Sequence, residues 1–447
     1  MSIKASIRDM NLGAMKATLA PFALGEEAEK GLKKLLNIDI VTLGQGGGRI
    51  GAELARFGWD TWMVNSAEVD MVEHDWIKNK IMLRDPDRGN LQGTAKNAAI
   101  GHAIAEKNVN EFKKIAIETQ YSDLVVVTVA LGGGQGNGAI PTAIEWISKV
   151  RDLAEKRTEK GNPTIMVIAS LPARDESNPN VWLNAASGIK KLQEYINEKK
   201  IGACCLIDNE LIRDYYERHE KLVYMNRVFS ALDYSNIMMA RSLFETFILS
   251  VLSGQASMDS TEILEILSTP GWLTINRKEV VHTKDIDLNY EINSLFTENE
   301  VLASLDVSNS IAGGIAVITS AHNQLAAELV DQVKPIANRM LGRPSVLHSG
   351  ILQTSSLYKK TYLIGLAVTP SLPEGISVSL IKKYKEEKGR KEEKEAAARA
   401  ASTIFDDIED IFSSNVKKQT RKGTVTLDDL EPVNEKPKTR KVCFSDL

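Results

Sequence analysis

The chain has 447 residues, 43% hydrophobic and 26% charged, with a formal net charge of −4. This is an ordinary composition for a globular protein with room for two or three domains. Its three cysteines, Cys204, Cys205 and Cys443, exclude a disulfide framework or a cysteine metal cluster and suit a reducing compartment. The acidic balance argues against direct sequence-specific DNA binding by the body of the protein. No apolar run nears the roughly 18–20 residues of a bilayer span and no secretory signal is evident, so no membrane and a cytoplasmic location are expected.

Residues 1–37 read as a helical extension ending in EEAEKGLKKLLN. The apolar run IDIVTL (38–43) predicts a buried strand, followed by the glycine-rich GQGGGRIG and the helical AELARFG. WDTWMVNS predicts a second strand, and GTAKNAAIGHAIAEK (93–107) a loop entering a helix. DLVVVTVA, TIMVIASLP and GACCLID are further apolar, β-rich runs separated by helical sequence. Buried strands alternating with helices predict a doubly wound α/β domain on a parallel sheet.

After DLVVVTVA, five glycines occupy the seven positions 132–138. Glycine is the costliest residue to order, and a plain turn needs only one or two. Helical spacing resumes at once in Ile140, Ala143, Ile144, Ile147 and Val150, so the run is no linker. What remains is a backbone that approaches a bulky anion, with amides at a helix start aimed at phosphate. In the earlier run, Gly46, Gly48 and Gly51 satisfy G-x-G-x-x-G with Glu68 about twenty residues on, which makes an NAD-dependent oxidoreductase the rival reading. Against it, a dinucleotide-binding fold needs only one such run. No Gly-Lys-Ser/Thr occurs, which excludes a Walker NTPase. No close histidine-carboxylate cluster occurs among the six histidines, so a zinc enzyme is unsupported.

Residues 228–253 read as one long helix with Ile237, Ala240, Phe244, Phe247, Ile248 and Val251 on a broad apolar face, hence a central core helix. SIAGGIAVITS, SVLHSGILQT and TYLIGLAVTP, with the helical AAELVDQVKPIANRML between them, read as a smaller α+β domain over 258–370. Residues 378–412 predict an extended helix with a solvated mixed-charge face. The polar segment from 413 to 447, with basic clusters at Lys417–Lys418, Arg421–Lys422 and Lys436–Lys441, reads as a disordered tail.

Several ordered motifs between roughly 38 and 370 resemble the tubulin/FtsZ superfamily. GQGGGRIG is similar to the G-Q-x-G-x-x-I-G of tubulins, and LGGGQGNGA resembles the signature G-G-G-T-G-[ST]-G. GTAKNAAIG resembles the third phosphate loop, LIDNELI the ribose-contacting segment, and SMDSTEILEIL the N-x-D-x-x-[DE] catalytic loop. LSTPGWLTI is similar to the corresponding stretch of the plasmid-borne TubZ branch. Gln135 stands where the signature has threonine, Asn137 where it has Ser/Thr, and Ser257 where the catalytic loop has asparagine. Leu232 stands in place of the usual aromatic one turn before Asn236, with Phe229 and Tyr234 nearby.

The resemblance implies a GTP-binding α/β domain at 38–227, a core helix at 228–256, a catalytic-loop and α+β domain at 257–370, and a C-terminal helix at 371–412. It implies nucleotide contacts from Gln45, Gly46, Gly47, Arg49, Ala95, Lys96, Asn97, Gly132, Gly133, Gly134, Gln135, Gly136, Asn137, Asn209 and Asn236, with Phe229/Asp233 as a second candidate base site. Mg2+ would be held mainly by phosphates and water. Asp259 and Glu262 would complete the site of a neighbouring subunit stacked head to tail, although their spacing taken alone is equally that of a helix cap. The activity implied is GTP hydrolysis coupled to polymerisation, in a filament that segregates plasmid or phage DNA through an adaptor bound at the C-terminal tail. FtsZ-like division is the alternative inside the superfamily.

Overall fold

The computed structural model describes residues 36–57, 59–218, 223–224, 227–250, 252, 254–281, 286–297, 302–320, 325–354 and 360–415. All but Leu36 and Asn37 of the expected N-terminal helix, and the tail from residue 416, lie outside them. The first half alternates strand and helix: β1 (Ile38–Leu43), α1 (Gly44–Leu54), β2 (Asp60–Asn65), β3 (Asn79–Met82), α2 (Ala98–Lys107), α3 (Val109–Glu118), β4 (Leu124–Ala130), α4 (Gly134–Leu153), β5 (Ile165–Ser170), α5 (Pro179–Asn197), β6 (Ala203–Ile207) and α6 (Asn209–Arg218). A two-residue ladder, β7 (Val223–Tyr224) with β8 (Arg227–Val228), precedes α7 (Ala231–Ile248). Then come β9 (Gly254–Ala256), α8 (Ser260–Leu267), β10 (Gly271–Val281), α9 (Leu288–Thr297), β11 (Ala312–Ser320), α10 (Ala327–Met340), β12 (Val346–Thr354), β13 (Lys360–Thr369) and α11 (Glu374–Asn415).

Eleven strands form one sheet in the order β3-β2-β1-β4-β5-β6-β10-β13-β11-β12-β9. The neighbours from β3 to β6 are all parallel, and β10 joins β6 in parallel over Gly271–Leu273 before pairing antiparallel with β13. The sheet therefore runs unbroken from the first half of the chain into the second. The strand order 3-2-1-4-5-6 reverses direction between β1 and β4, and ligands of doubly wound sheets bind outside the carboxyl ends of strands at such a switch point. Both glycine-rich runs begin there, because each directly follows one of those two strands.

Side chains alternate across each strand and feed two cores. Ile38, Ile40, Leu124 and Val126 pack with Ile237, Leu243 and Phe247 of α7. Val41, Leu43, Val125, Val127 and Val129 pack on the other face with Ile140, Ile144 and Ile147 of α4. The described residues up to Lys388 form one compact unit, with a further core of Leu295, Ile315, Val317, Ile336 and Leu363. In the second unit, from Gly389, α11 continues as helix to Asn415, and Lys391 pairs with Glu395 at 3.8 Å.

Two element boundaries shift, and one strand was not expected. The glycine runs are not loops before helices: α1 and α4 begin inside them, at Gly44 and Gly134. The core helix is shorter than 228–253, since Val228 is a strand residue and Ser230 caps the helix start; Val251 lies outside the described residues. The long strand β10 had no clear sequence signal, because Asn276, Arg277, Lys278 and Glu279 interrupt its apolar run. Arg277 and Arg241 of α7 both pair with the buried Glu245, at 2.9 and 2.6 Å, placing an ion cluster inside what the sequence presents as an apolar face.

Candidate functional site

At the β1/β4 switch point lies a cavity of about 380 Å³, within the usual range of ligand pockets. Its lining comes from the glycine runs (Gly44, Gln45, Gly46; Gly132 to Gly136), from Gly93 to Lys96, and from the far rim at Glu176 and Asn209. Neither α1 nor α4 has a side-chain cap or an acidic residue in its first turn. The leading N–H groups of both helices are thus free to bind an external anion.

Glycine is required here mainly by how closely these segments pack on one another. A Cβ on Gly46 would lie 2.3 Å from that of Ala130, one on Gly47 2.2 Å from the Thr128 carbonyl oxygen, and one on Gly134 2.2 Å from Thr94 Oγ1. Gly133 is less crowded, its one near neighbour being the Ala130 carbonyl oxygen at 3.3 Å. Gln135 is buried, yet neither its Oε1 nor its Nε2 has a hydrogen-bond partner. A buried, unpaired carboxamide costs about 1–3 kcal/mol, so its position in the lining is that of a group awaiting a polar ligand.

The segment after Gly93 is held in a strained form. Ala95 and Lys96 both have left-handed φ, 49° and 64°, at a cost of about 1–3 kcal/mol each. Surrounding bonds impose it: Gly93 N–H to the Ser66 carbonyl at 2.9 Å, Arg88 to the Gly93 carbonyl at 2.6 Å, and Asn184 Nδ2 to the Lys96 carbonyl at 2.9 Å. Lys96 Nζ spans the rim to Glu176 Oε2 at 3.0 Å. Across the cavity, Asp70 accepts from Gln45 Nε2 at 2.8 Å and Asn65 Nδ2 at 3.0 Å. Asn209 Nδ2 donates to the Leu171 carbonyl at 2.6 Å, which fixes its side chain at the opposite wall.

Of the residues singled out from sequence, Gln45, Gly46, Ala95, Lys96, Gly132, Gly133, Gly134, Gln135, Gly136 and Asn209 converge on this cavity. Gly47, Arg49, Asn97, Asn137 and Asn236 are not among its lining residues. Asn97 caps α2, its Oδ1 accepting from Ala99 and Ile100. Asn137 donates to the carbonyls of Leu131 and Asn184, at 3.0 and 2.6 Å. Arg49 is exposed, and Asn236 lies half-buried on α7. At the second candidate base site, Phe229 is buried in the core and Asp233 forms a reciprocal capping box with Ser230. Glu68, which a dinucleotide site would need, is also outside the lining. Asp70, Glu176 and Asn184 were not found from sequence, because lone polar residues far along the chain carry no local signal.

Asp259 and Glu262 stand at the start of α8, outside the cavity lining. They form the helix cap that their spacing allowed: Glu262 N–H donates to Asp259 Oδ1 at 2.8 Å, and Asp259 N–H to Glu262 Oε2 at 3.0 Å. Glu262 Oε1 lies 2.9 Å from His348 Nδ1 on β12. Two other clefts, of about 650 Å³ beside Asn289 and Arg339 and about 690 Å³ beside Trp146, are larger. They contain neither an uncapped helix start nor a buried orphan polar group.

No family model matches the chain. The tubulin-like protein TubZ of Bacillus cereus is 25% identical over 440 residues, covering 92% of each chain. The solved GTPγS-form protofilament of Bacillus thuringiensis serovar israelensis TubZ superposes with a TM-score of 0.67 at 17% identity, over 84% of this chain and all of that one. A type III plasmid segregation TubZ structure superposes at 0.58 with 18% identity, over 80% and 93%. Among the described residues, no helix is long and apolar enough to cross a membrane.

Proposed function

We infer that this chain, a member of the tubulin/FtsZ superfamily, is a filament-forming GTPase whose GTP-driven polymerisation segregates plasmid or phage DNA in the cytoplasm. The observation that carries the reading is the convergence of two uncapped helix starts and the orphan Gln135 on one switch-point cavity, with the candidate acids outside it. The amides of α1 and α4 would bind the phosphates, Lys96 would add charge, and Asn209 would meet the ribose. Asn236, on α7, would read guanine. Mg2+ would sit mainly on phosphate oxygens and water. When bound it would neutralise charge on the transferred phosphoryl group.

Glu262 and Asp259 would complete the site of the next subunit in a head-to-tail stack, a heterologous contact that propagates as a filament. Glu262 would then orient the water that attacks the γ-phosphate of its neighbour, with Asp259 assisting. The segment from 413 onward, with its basic clusters, would bind a DNA-bound partition adaptor. Electron microscopy and sedimentation with GTP, GDP and a slowly hydrolysed GTP analogue test the assignment. Filaments with GTP that persist with the analogue are expected; no polymer together with NAD binding would overturn it. Truncation after Phe412 should leave polymerisation intact and reduce co-sedimentation of the adaptor–DNA complex.

A further inference from the structure

Glu262 belongs to a chain of charged groups that reaches well beyond its helix cap. His348 Nδ1 lies 2.9 Å from Glu262 Oε1, and His348 Nε2 lies 2.8 Å from Glu265 Oε2. Glu265 Oε1 in turn pairs with Lys160, on the loop between α4 and β5. Burial alone would push the Glu265 carboxyl up, but its bonds to Lys160 and His348 outweigh that and hold it below its ordinary value. Side-chain exposure falls along the series, from 34% at Glu262 to 20% at His348 and 17% at Glu265. The open end is therefore the carboxylate that faces outward.

We propose that His348 is a positioning residue for GTP hydrolysis, clamping Glu262 in the orientation that a neighbouring subunit's nucleotide requires. This rests on the assignment of Glu262 as the water-orienting acid. The capping box fixes only Oε2 of that carboxylate. A single bond leaves rotation about the carboxyl axis, and the bond to His348 removes it by fixing Oε1. Each oxygen accepts one internal hydrogen bond and keeps a lone pair for water. Both ring nitrogens face carboxylate oxygens, so Glu265 holds the ring from behind while Nδ1 meets Glu262. The carboxylate is ordered before assembly, so little orientation remains to be gained when the neighbour arrives.

The test compares His348→Leu, which removes both ring nitrogens, His348→Gln, which keeps one polar group, Glu262→Ala, and the double variant His348→Leu/Glu262→Ala. Phosphate release is measured per polymerised subunit, alongside GTP affinity of the unassembled chain and the critical concentration with GTPγS. His348→Leu should lower release roughly 10- to 100-fold, with GTP affinity and critical concentration within about twofold of the wild type. His348→Gln should recover part of the loss, and the double variant should be no slower than Glu262→Ala alone, as expected for residues acting through one group. Additive losses in the double variant, or release that falls only in step with lost polymer, would overturn the proposal. Normal hydrolysis by Glu262→Ala would instead remove the assignment of Glu262, and the role of His348 with it.

Discussion

Gly44 and Gly136 hold the two glycine-rich helix starts in backbone contact: a Cβ on Gly44 would lie 2.7 Å from the Gly136 amide nitrogen, and one on Gly136 would lie 2.5 Å from the Leu43 carbonyl oxygen. Gly44 also has φ +68°, where a side chain is strained whatever the space. Gly133 differs, with φ −73° and ψ 153°, a backbone any residue adopts, and a Cβ there would meet only the Ala130 carbonyl oxygen, at a tight 3.3 Å. Gly44→Ala should therefore destabilise the fold by about 2 kcal/mol or more, read as a lowered Tm. Gly133→Val should lose much less stability than Gly44→Ala yet lose at least about tenfold in GTP affinity, because its side chain would enter the proposed phosphate cradle. Gly134→Val is no substitute, since its Cβ meets Thr94 and the Asn97 backbone. Normal GTP binding by a folded Gly133→Val chain would remove this loop from the site.

The Gln135 carboxamide should trade stability for binding. It is buried with both polar atoms unpaired, and replacing an unsatisfied buried group with an apolar one of similar shape is neutral or stabilising. Gln135→Leu is expected to keep or raise the Tm of the nucleotide-free chain while weakening GTP binding by about tenfold, or about 1.4 kcal/mol. Thermal melts with and without GTP measure both. A lowered Tm in the nucleotide-free chain would mean that Gln135 is structural.

What the sequence made legible follows from range. The parallel strands were readable because IDIVTL, DLVVVTVA and TIMVIASLP are unbroken apolar runs, and the site because both glycine runs follow such strands. The strand β10 was not, because its buried register is fixed by β13 while Arg277 and Lys278 interrupt its pattern. The capping box of Asp259 and Glu262 lay within one helical turn and was foreseeable. The bond from Glu262 to His348 joins residues 86 apart in the chain, and only the packing of α8 on the β11–β12 region creates it. Asn184, which ties Lys96 to Gly132 through their carbonyls, is unmarked for the same reason.

On the proposed function, Glu262 would have two separable duties, a helix cap and a water-orienting carboxylate. Glutamine at the same helical position can still close a capping box, so Glu262→Gln should retain the wild-type Tm within about 1 kcal/mol of stability. Without a carboxylate to orient water, hydrolysis should fall about 10²–10⁴-fold, leaving filaments that persist in GTP. Asp259→Ala should lose about 1 kcal/mol by uncapping α8 and hydrolyse slowly as well. Phosphate release and turbidity decay distinguish the variants. Wild-type release by Glu262→Gln at equal polymer mass would show the carboxylate to be a cap and nothing more.

His74 makes the fold acid-sensitive in a defined window. Burial, with Lys80, Arg49 and Arg56 nearby, lowers its pKa from 6.5 to about 4, so the folded chain keeps the ring neutral where the unfolded chain protonates it. Stability from this group is present above pH 6.5 and is lost as pH falls towards 4. At pH 5 the loss is roughly 2 kcal/mol, from 1.5 pH units at 1.36 kcal/mol each. Asp39, raised by burial to about 6, acts in the opposite sense over part of the range, because its folded form holds a proton that the unfolded chain releases. The wild-type profile therefore mixes the two, and a variant is needed to isolate His74. His74 packs edge-on against Trp76 at 5.3 Å, and its Nδ1 has no hydrogen-bond partner, so His74→Phe keeps the ring contact without the titration. Relative to wild type, this variant should gain roughly 2 kcal/mol between pH 7.5 and pH 5 in urea unfolding. A difference that stays constant across that interval would place the acid sensitivity elsewhere.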